Sequence, residues 1–289
     1  MIAAVRRLWR LPQVIALLFG GLFTVIVLFP FWREPTRRTA IRVWSRMLLA
    51  GCGLRLSECT APGARPLHAL PPGRLVVANH LSWLDIFAID ALCPASFVAK
   101  SEIARWPLVG TLVARAGTLF IERGRRHAVH RLIEHIERSL QAGGRVAVFP
   151  EGTTGAGHAL LPFHANLIQA AVDAQAPVVP VGLRYLDARG GAAQAADFSG
   201  DVTFVASMWR VLGAGGIVCE VHALPEIAPL ETAAPADRNK QRHRIAESAR
   251  ASISSRLGLP FDDTMPETLD RARRGARTSR QNPPERQRP

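Results

Sequence analysis

Tyrosine is almost missing from this chain: Tyr185 is its single example in 289 residues. Phe, Trp and Tyr together make up only 7%, so the stacked aromatic platforms on which single-stranded nucleic acid lies are poorly supplied. Cysteine is scarce too. Cys52, Cys59, Cys93 and Cys219 show neither the paired spacing of a zinc site nor the density of a disulfide scaffold. They read as ordinary thiols in a reducing compartment, and neither a metal nor a cofactor is implied. The third shortage is of acid. There are 23 Asp and Glu against 36 Lys and Arg, a net charge of +13 at pH 7 and a pI near 11.3. Such an excess calls for an anionic partner, either nucleic acid or an anionic membrane surface. Nothing in the chain resembles a nucleic-acid recognition motif, and the arginines gather around apolar segments and the C-terminal tail. The expected partner is therefore membrane lipid, with no nucleic acid.

The longest stretch without charge is residues 11–32, preceded by Arg6, Arg7 and Arg10 and followed by Arg33. At 1.5 Å per residue a helix of this length covers about 30 Å, one bilayer crossing. Trp9 and Trp32 stand where interfacial aromatics belong, and no small-residue cleavage site comes after. In a second segment, residues 41–56, Ile41, Val43, Trp44 and Met47 surround Arg42 and Arg46, a pattern suited to the membrane interface. Gly20, Gly21 and Pro30 leave both a crossing and a hairpin dipping into one leaflet open. The arginines of residues 33–46 favour a cytoplasmic face for the rest of the chain. The expected organisation is a membrane-anchoring helical pair over residues 1–60, an α/β domain over 61–260, and a basic tail over 261–289. The Pro- and Gly-containing stretch 62–72 reads as a linker, which puts the first strand near Arg74. The tail has too little apolar surface to fold, so it reads as disordered.

From Arg74 onward short apolar runs alternate with helical patterns, the signature of an α/β fold with a mixed, largely parallel sheet flanked by helices. Strands are predicted at 75–78, 118–121, 146–149, 178–183, 202–206 and 217–221, and helices at 83–92, 108–115, 126–141, 165–174 and 237–256. His127, His130 and His135 on the third of these helices lack metal-ligand spacing and read as a solvated face.

Four stretches stand at predicted strand ends, where open α/β sheets place their ligands. The first is Asn79-His80-Leu81-Ser82-Trp83-Leu84-Asp85, with Ser82 a candidate N-cap. On one continuous helix, His80 and Asp85 would point about 140° apart. With His80 in the loop and Asp85 in the first turn, the carboxylate can fold back and hold one ring nitrogen, leaving the other as a base. The second runs from Gly117 to Arg123 and ends a strand on a residue shaped to grip phosphate or carboxylate. The third, Phe149-Pro150-Glu151-Gly152-Thr153-Thr154-Gly155, brings an acid, glycines and hydroxyls to the same edge. The fourth, Val178-Val179-Pro180-Val181-Gly182, is a strand whose proline suits an edge or terminus.

In this order the four stretches resemble the blocks of the glycerolipid acyltransferases of the 1-acylglycerol-3-phosphate acyltransferase type, over roughly residues 50–224. His80 and Asp85 match the H-x4-D block. Gly117, Phe120, Ile121 and Arg123 match G-x-x-F-I-x-R, Phe149 to Thr153 match F-P-E-G-T, and Val179-Pro180-Val181 matches the proline block. Phe97 to Glu102 is similar to the family's lysine-containing segment, and the hydrophobic N-terminal pair is typical of it.

The resemblance implies an O-acyltransferase that moves a fatty acyl chain from acyl-CoA or acyl carrier protein to the free hydroxyl of a lysolipid. His80, oriented by Asp85, would be the base. Lys100, Asn79 and backbone amides near His80 would support the oxyanion. Arg123, Glu151, Gly152 and Thr153 would bind the acceptor's phosphate or headgroup, with Gly117, Phe120, Pro150 and Pro180 supporting the motifs. No G-x-S-x-G elbow is present, which fits direct transfer without an acyl-enzyme. The first acceptor implied is 1-acylglycerol 3-phosphate, giving phosphatidic acid. Many members carry Arg where this chain has Thr154, so lyso-ornithine lipid and other lysophospholipids stay open as acceptors. A membrane-bound thioesterase using the same His–Asp pair is the other alternative. His164 falls where the family often has a basic residue, and reads either as a headgroup contact or as the cap of the helix predicted from Ala165.

Overall fold

The computed structural model describes residues 1–121, 126–231 and 235–263. Arg123 and most of the C-terminal tail, with its expected disorder, lie outside the described residues. The chain opens with helix α1 (Ile2–Phe23), which passes through a π-helical turn at Thr24–Leu28 and a 3-10 turn at Phe29–Phe31 into α2 (Glu34–Gly51). Next come β1 (Leu54–Thr60), β2 (Arg74–Ala78), α3 (Leu84–Asp90), β3 (Ser96–Lys100), α4 (Val109–Arg115), β4 (Leu119–Ile121), α5 (Arg126–Gln141) and β5 (Arg145–Val148). The chain continues through α6 (Gln169–Asp173), β6 (Val178–Leu186), α7 (Phe204–Gly213), β7 (Ile217–Ala223) and α8 (Pro235–Leu257).

The seven strands form one sheet in the order β1-β7-β6-β2-β5-β3-β4. Every neighbouring pair is parallel except β6 and β7. The central strands read as unbroken apolar runs because both faces are covered. Their side chains alternate between two cores, following the two-residue period of a strand. Val76, Ala78, Ala147 and Val179 face one core, shared with α2, α3 and α7. Leu75, Val77, Val146, Val148 and Val178 face the other, shared with α5, α6 and α8. Each fully buried Val or Leu contributes about 1.5–3 kcal/mol by leaving water.

Several elements differ from the sequence expectation. Residues 202–206 are not a strand: Thr203 Oγ1 accepts from Ala206 N at 3.3 Å and caps α7, and that cap outweighs the local β-propensity. The strand β1 lies inside the segment assigned to the anchor and pairs along its length with β7, so the sheet begins at Leu54. β3 is a strand absent from the expected set. Pro180 sits in an interior strand rather than at an edge. Its carbonyl accepts from Leu224 N, so its nitrogen faces the same flank, beyond the last β7 residue, Ala223, where no ladder bond is lost. The helix expected from Ala165 starts only at Gln169, so His164 is not its cap.

The N-terminal pair also resolves differently. One stretch, Ile2–Phe31, is long and apolar enough to cross a membrane. The second helix, α2, is amphipathic and packs on the domain: Arg46 Nε donates to Ala91 O at 2.7 Å, and Leu48 and Leu49 enter the core. α1 is held against the domain at both ends and in the middle. Arg10 Nη1 donates to Leu212 O and Ala214 O at 3.1 and 2.7 Å. Trp44 Nε1 donates to Leu17 O at 2.8 Å, and Val25 and Phe29 meet Leu112 of α4.

Candidate active site

Three strand ends meet at one edge of the sheet. β2 ends at Ala78 and releases Asn79-His80; β5 ends at Val148 and releases Phe149-Pro150-Glu151; between them and β7 runs β6, which carries Tyr185. The loop after β2 turns back on itself because Asp85 collects its donors. Asp85 Oδ2 accepts from Leu81 N at 2.7 Å and Ser82 N at 2.9 Å, and lies 2.7 Å from His80 Nδ1. The other oxygen, Oδ1, accepts the hydroxyl of Tyr185 at 2.7 Å. Asp85 is wholly buried, and a buried carboxyl group with this many donors is fixed in place. Ser82 is not the N-cap: Trp83 stands there, without a side-chain cap bond.

With Nδ1 facing a carboxylate, the imidazole carries its proton on that nitrogen and presents Nε2 as a lone pair. The ring cannot swing freely. It lies flat on Phe149, with centroids 4.0 Å apart and planes 11° from parallel. Its backbone is tied across the site by Gly155 N donating to His80 O at 2.8 Å. About a fifth of the His80 side chain is exposed, so the ring has one open side.

Glu151 is buried just below. Desolvation pushes its carboxyl up to about 8, with the Asp85 charge adding to the rise, while a backbone hydrogen bond with His80 and the charge of Arg250 pull it down. At neutral pH Glu151 therefore holds its proton. Gly152, at φ 70°, turns the chain after Glu151 in a conformation that glycine tolerates best. Thr153 is half-buried in the same turn. Thr154 donates Oγ1 to Phe198 O at 2.7 Å and ties this loop to the one after β6.

The remaining expected residues fall in two groups. Asn79 is brought to the site but its side chain is committed: Nδ2 donates to Leu183 O at 3.1 Å and Oδ1 accepts from Leu183 N at 2.7 Å. Both bonds fix the loop to β6. Pro150 accepts from His164 N at 2.9 Å, and Pro180 pairs with Val77 in the sheet. Lys100 ends β3 and is exposed; Gly117, at φ 95°, turns the chain into β4, which contains Phe120. Arg123 comes two residues after β4 and lies outside the described residues.

Tyr185 is the functional residue that the motifs miss. Its signal is its scarcity: the chain's single tyrosine is buried and reaches the Asp85 carboxylate. Burial and the Asp85 charge raise its phenol well above 10.0, so it stays a donor.

A second cluster, Cys59, Glu220 and His222, gathers three ligand-type atoms within 4.8 Å of one another. These atoms are already engaged: Arg184 donates to Glu220 Oε2 at 2.6 Å and Arg256 to His222 Nδ1 at 3.0 Å. Two guanidinium groups at that distance oppose a cation.

Beyond Phe149 the aromatic stack continues to Phe97, at 6.0 Å and 20°. Phe97 is also a wall of an apolar cavity of about 230 Å³ between α2, α3 and the end of α1, lined among others by Trp44, Met47, Phe87 and Leu112. Asp90 and Ser45 are among the few polar side chains in its wall.

Comparison with known proteins gives a consistent result. The family model described as Acyltransferase matches residues 66–184, which include His80, Asp85, Glu151 and Pro180. The 1-acyl-sn-glycerol-3-phosphate acyltransferase of Neisseria meningitidis serogroup B is 39% identical over 219 residues, 76% of this chain and 82% of that protein. The lyso-ornithine lipid O-acyltransferase of Pseudomonas aeruginosa is 38% identical over 180 residues, 62% of this chain and 66% of the relative. Among solved structures, the 1-acyl-sn-glycerophosphate acyltransferase of Thermotoga maritima has the same fold, with a TM-score of 0.57 at 18% identity, covering 86% of this chain and 98% of that one.

Proposed function

The chain belongs to the glycerolipid acyltransferase family, and from that premise we propose how its site moves a fatty acyl chain onto the free hydroxyl of a lysolipid. The preferred acceptor in this reading is 1-acylglycerol 3-phosphate, and the product phosphatidic acid. The observation that carries the mechanism is the 2.7 Å contact between His80 Nδ1 and Asp85 Oδ2, which leaves Nε2 as the nitrogen available to a substrate.

The acceptor hydroxyl needs a base because its own pKa is far above neutral. His80 Nε2 takes its proton as the oxygen attacks the carbonyl carbon of an acyl thioester. The tetrahedral intermediate then collapses, an ester bond replaces the thioester bond, and the departing thiolate takes the proton back from the imidazolium. Asp85, held by Tyr185 and two backbone amides, stabilises the imidazolium in between. General-base help of this kind is worth about 10² to 10⁴ in rate. Protonated Glu151 keeps a second negative charge away from an anionic acceptor. Arg123 grips the acceptor phosphate, with Gly152 and Thr153 shaping the same site and Lys100 assisting the oxyanion.

The apolar cavity beyond Phe97 takes a hydrocarbon chain, since its wall can offer little else. The donor is acyl-CoA or acyl carrier protein. The enzyme works at a membrane to which α1 attaches it, with the domain on the cytoplasmic face, a reading supported by the arginines of residues 33–46.

A second acceptor is favoured by one observation. Thr154 stands where an arginine would add a phosphate-gripping fork, and a relative at 38% identity is a lyso-ornithine lipid O-acyltransferase. Offering both lysolipids with labelled acyl-CoA and labelled acyl carrier protein decides between them. Product from 1-acylglycerol 3-phosphate supports the first reading, and product from lyso-ornithine lipid alone replaces it with the second.

A further inference from the structure

Helix α7 turns an apolar side outward. Val205 is 75% exposed and Trp209 50% exposed, one helical turn apart on the same side. Beside the first turn of α7, the segment Trp106-Pro107-Leu108 exposes two more large apolar side chains, and the Trp106 ring lies 5.7 Å from that of Phe204. Leu108 sits at φ 63°, a left-handed backbone that costs a side-chain-bearing residue about 1–3 kcal/mol. Single exposed apolar residues are ordinary. Four of them on two segments that touch through Trp106 and Phe204, one of the four strained, mark a contact surface.

The surroundings indicate what the surface contacts. On its other flank Arg7 of α1 lies 4.6 Å over the Trp209 ring and donates Nε to Trp209 O at 3.0 Å. α1 itself exposes further large apolar residues, among them Ile2, Val5, Leu8 and Trp9. Neither α1 nor α7 contains an acidic residue, while Arg6, Arg7, Arg10 and Arg210 stand along them; the turn before Trp106 adds Arg105 and one acid, Glu102. Tryptophan beside arginine on an apolar ground suits the headgroup layer of an anionic bilayer.

We propose that α7 and the 106–108 turn form a second lipid-contacting platform beside α1, seated in the headgroup region, and that this seating presents the His80 loop to its lipid acceptor. The link is Trp83, whose indole Nε1 donates to Ser207 Oγ of α7 at 3.1 Å and whose ring packs edge-on to Phe204 at 5.1 Å. Through it the loop holding His80 and Asp85 is fastened to α7. The proposal rests on the reading of the chain as a lipid-modifying enzyme at a membrane.

The test uses the full chain in vesicles of phosphatidylcholine and phosphatidylglycerol. A nitroxide is attached at Val205→Cys and, separately, at Lys240→Cys on α8, which packs on the opposite face of the sheet; the parent protein supplies the background from its own cysteines. Collisions with oxygen, which concentrates in lipid, are compared with those of a water-soluble nickel chelate. Oxygen dominates at position 205 and nickel at position 240 if the platform meets lipid. Nickel dominating at both positions overturns the proposal, and so does low access to both reagents at position 205, which would mean a protein contact such as a second copy of the chain.

In a second arm the Val205→Glu, Trp209→Glu double variant acylates an acceptor in anionic vesicles roughly tenfold more slowly. Its turnover of a detergent-dispersed short-chain acceptor stays within about twofold of the parent's. Equal loss in both media overturns the presenting role. The collision measurement needs no turnover, so its failure is distinguishable from failure of the acyl-transfer reading.

Discussion

The phenol of Tyr185 donates to Asp85 Oδ1 at 2.7 Å across 100 residues of chain, both groups fully inside the protein. The bond joins the C-terminal end of β6 to the helix that comes after β2, and it holds the carboxylate that lies against His80. Tyr185→Phe removes one oxygen and keeps the ring. It leaves Asp85 short of a donor, and a buried unmet acceptor costs about 1–3 kcal/mol. The expected result is a kcat lower by about tenfold with KM for either substrate little changed. Steady-state kinetics against both donor and acceptor checks this, and a loss confined to KM would contradict a positioning role.

Phe149 supports the imidazole from the other side. Phe149→Leu keeps an apolar group but removes the flat surface on which His80 lies at 4.0 Å. The ring then gains rotational freedom, and the expected outcome is a several-fold fall in kcat with a modest loss of stability, about 1 kcal/mol, as for a large apolar swap in a core. Thermal melting and turnover measured on the same preparation separate the two effects.

Arg123→Ala, or Arg123→Lys with its single point charge, is expected to raise KM for a phosphate-bearing acceptor by about tenfold or more. KM for the acyl donor stays unchanged. If the donor's KM rises instead, Arg123 belongs to the thioester side of the site.

Asp90 gives the protein a pH dependence of its own. Burial pushes this carboxyl up from 3.8 to about 8, against the pull of the Ala95 N–H. Its folded pKa is therefore above its unfolded one. Below about 4 both states hold the proton and nothing is lost; between about 4 and 8 the unfolded chain releases a proton that the folded chain keeps. Stability contributed by the protonated form is thus lost progressively as pH rises through that window. Glu151, raised from 4.5 to about 8, acts in the same direction. Asp90→Asn is expected to flatten the fall of Tm between pH 5 and pH 9 and to melt higher than the parent at pH 9. Parallel Tm curves for the two proteins would contradict this.

Much of this site can be read in the sequence because its parts are local. His80 and Asp85 are five residues apart, and the turn that folds one onto the other is closed by backbone amides of Leu81 and Ser82, between them. The strands that carry the other motifs are short apolar runs bounded by Gly and Pro, so their positions are legible too. What escapes depends on distant partners. β1 and β3 have mixed composition and become strands only through pairing with β7 and with β5 and β4. In α7 the Thr203 cap and the packing of Val211 and Leu212 into the core override the β-branched look of Val202 to Val205. Tyr185 lies in no motif, and only the arrangement of β6 beside β2 brings it to Asp85. The amphipathic nature of α2 is visible in its residues, but its use as a core-facing helix is not, because the same arginines serve a membrane interface and the Ala91 carbonyl equally well.

The central claim is that His80 activates a lysolipid hydroxyl for direct attack on an acyl thioester. The measurement that tests it most directly tracks labelled acyl thioester with 1-acylglycerol 3-phosphate, with lyso-ornithine lipid and with no acceptor, for the parent and for His80→Ala. The account expects labelled diacyl lipid only when an acceptor is present, and a fall of at least about 10² in rate for His80→Ala. Thiol and free fatty acid released at the same rate without any acceptor, or transfer undiminished in the folded His80→Ala protein, would contradict it.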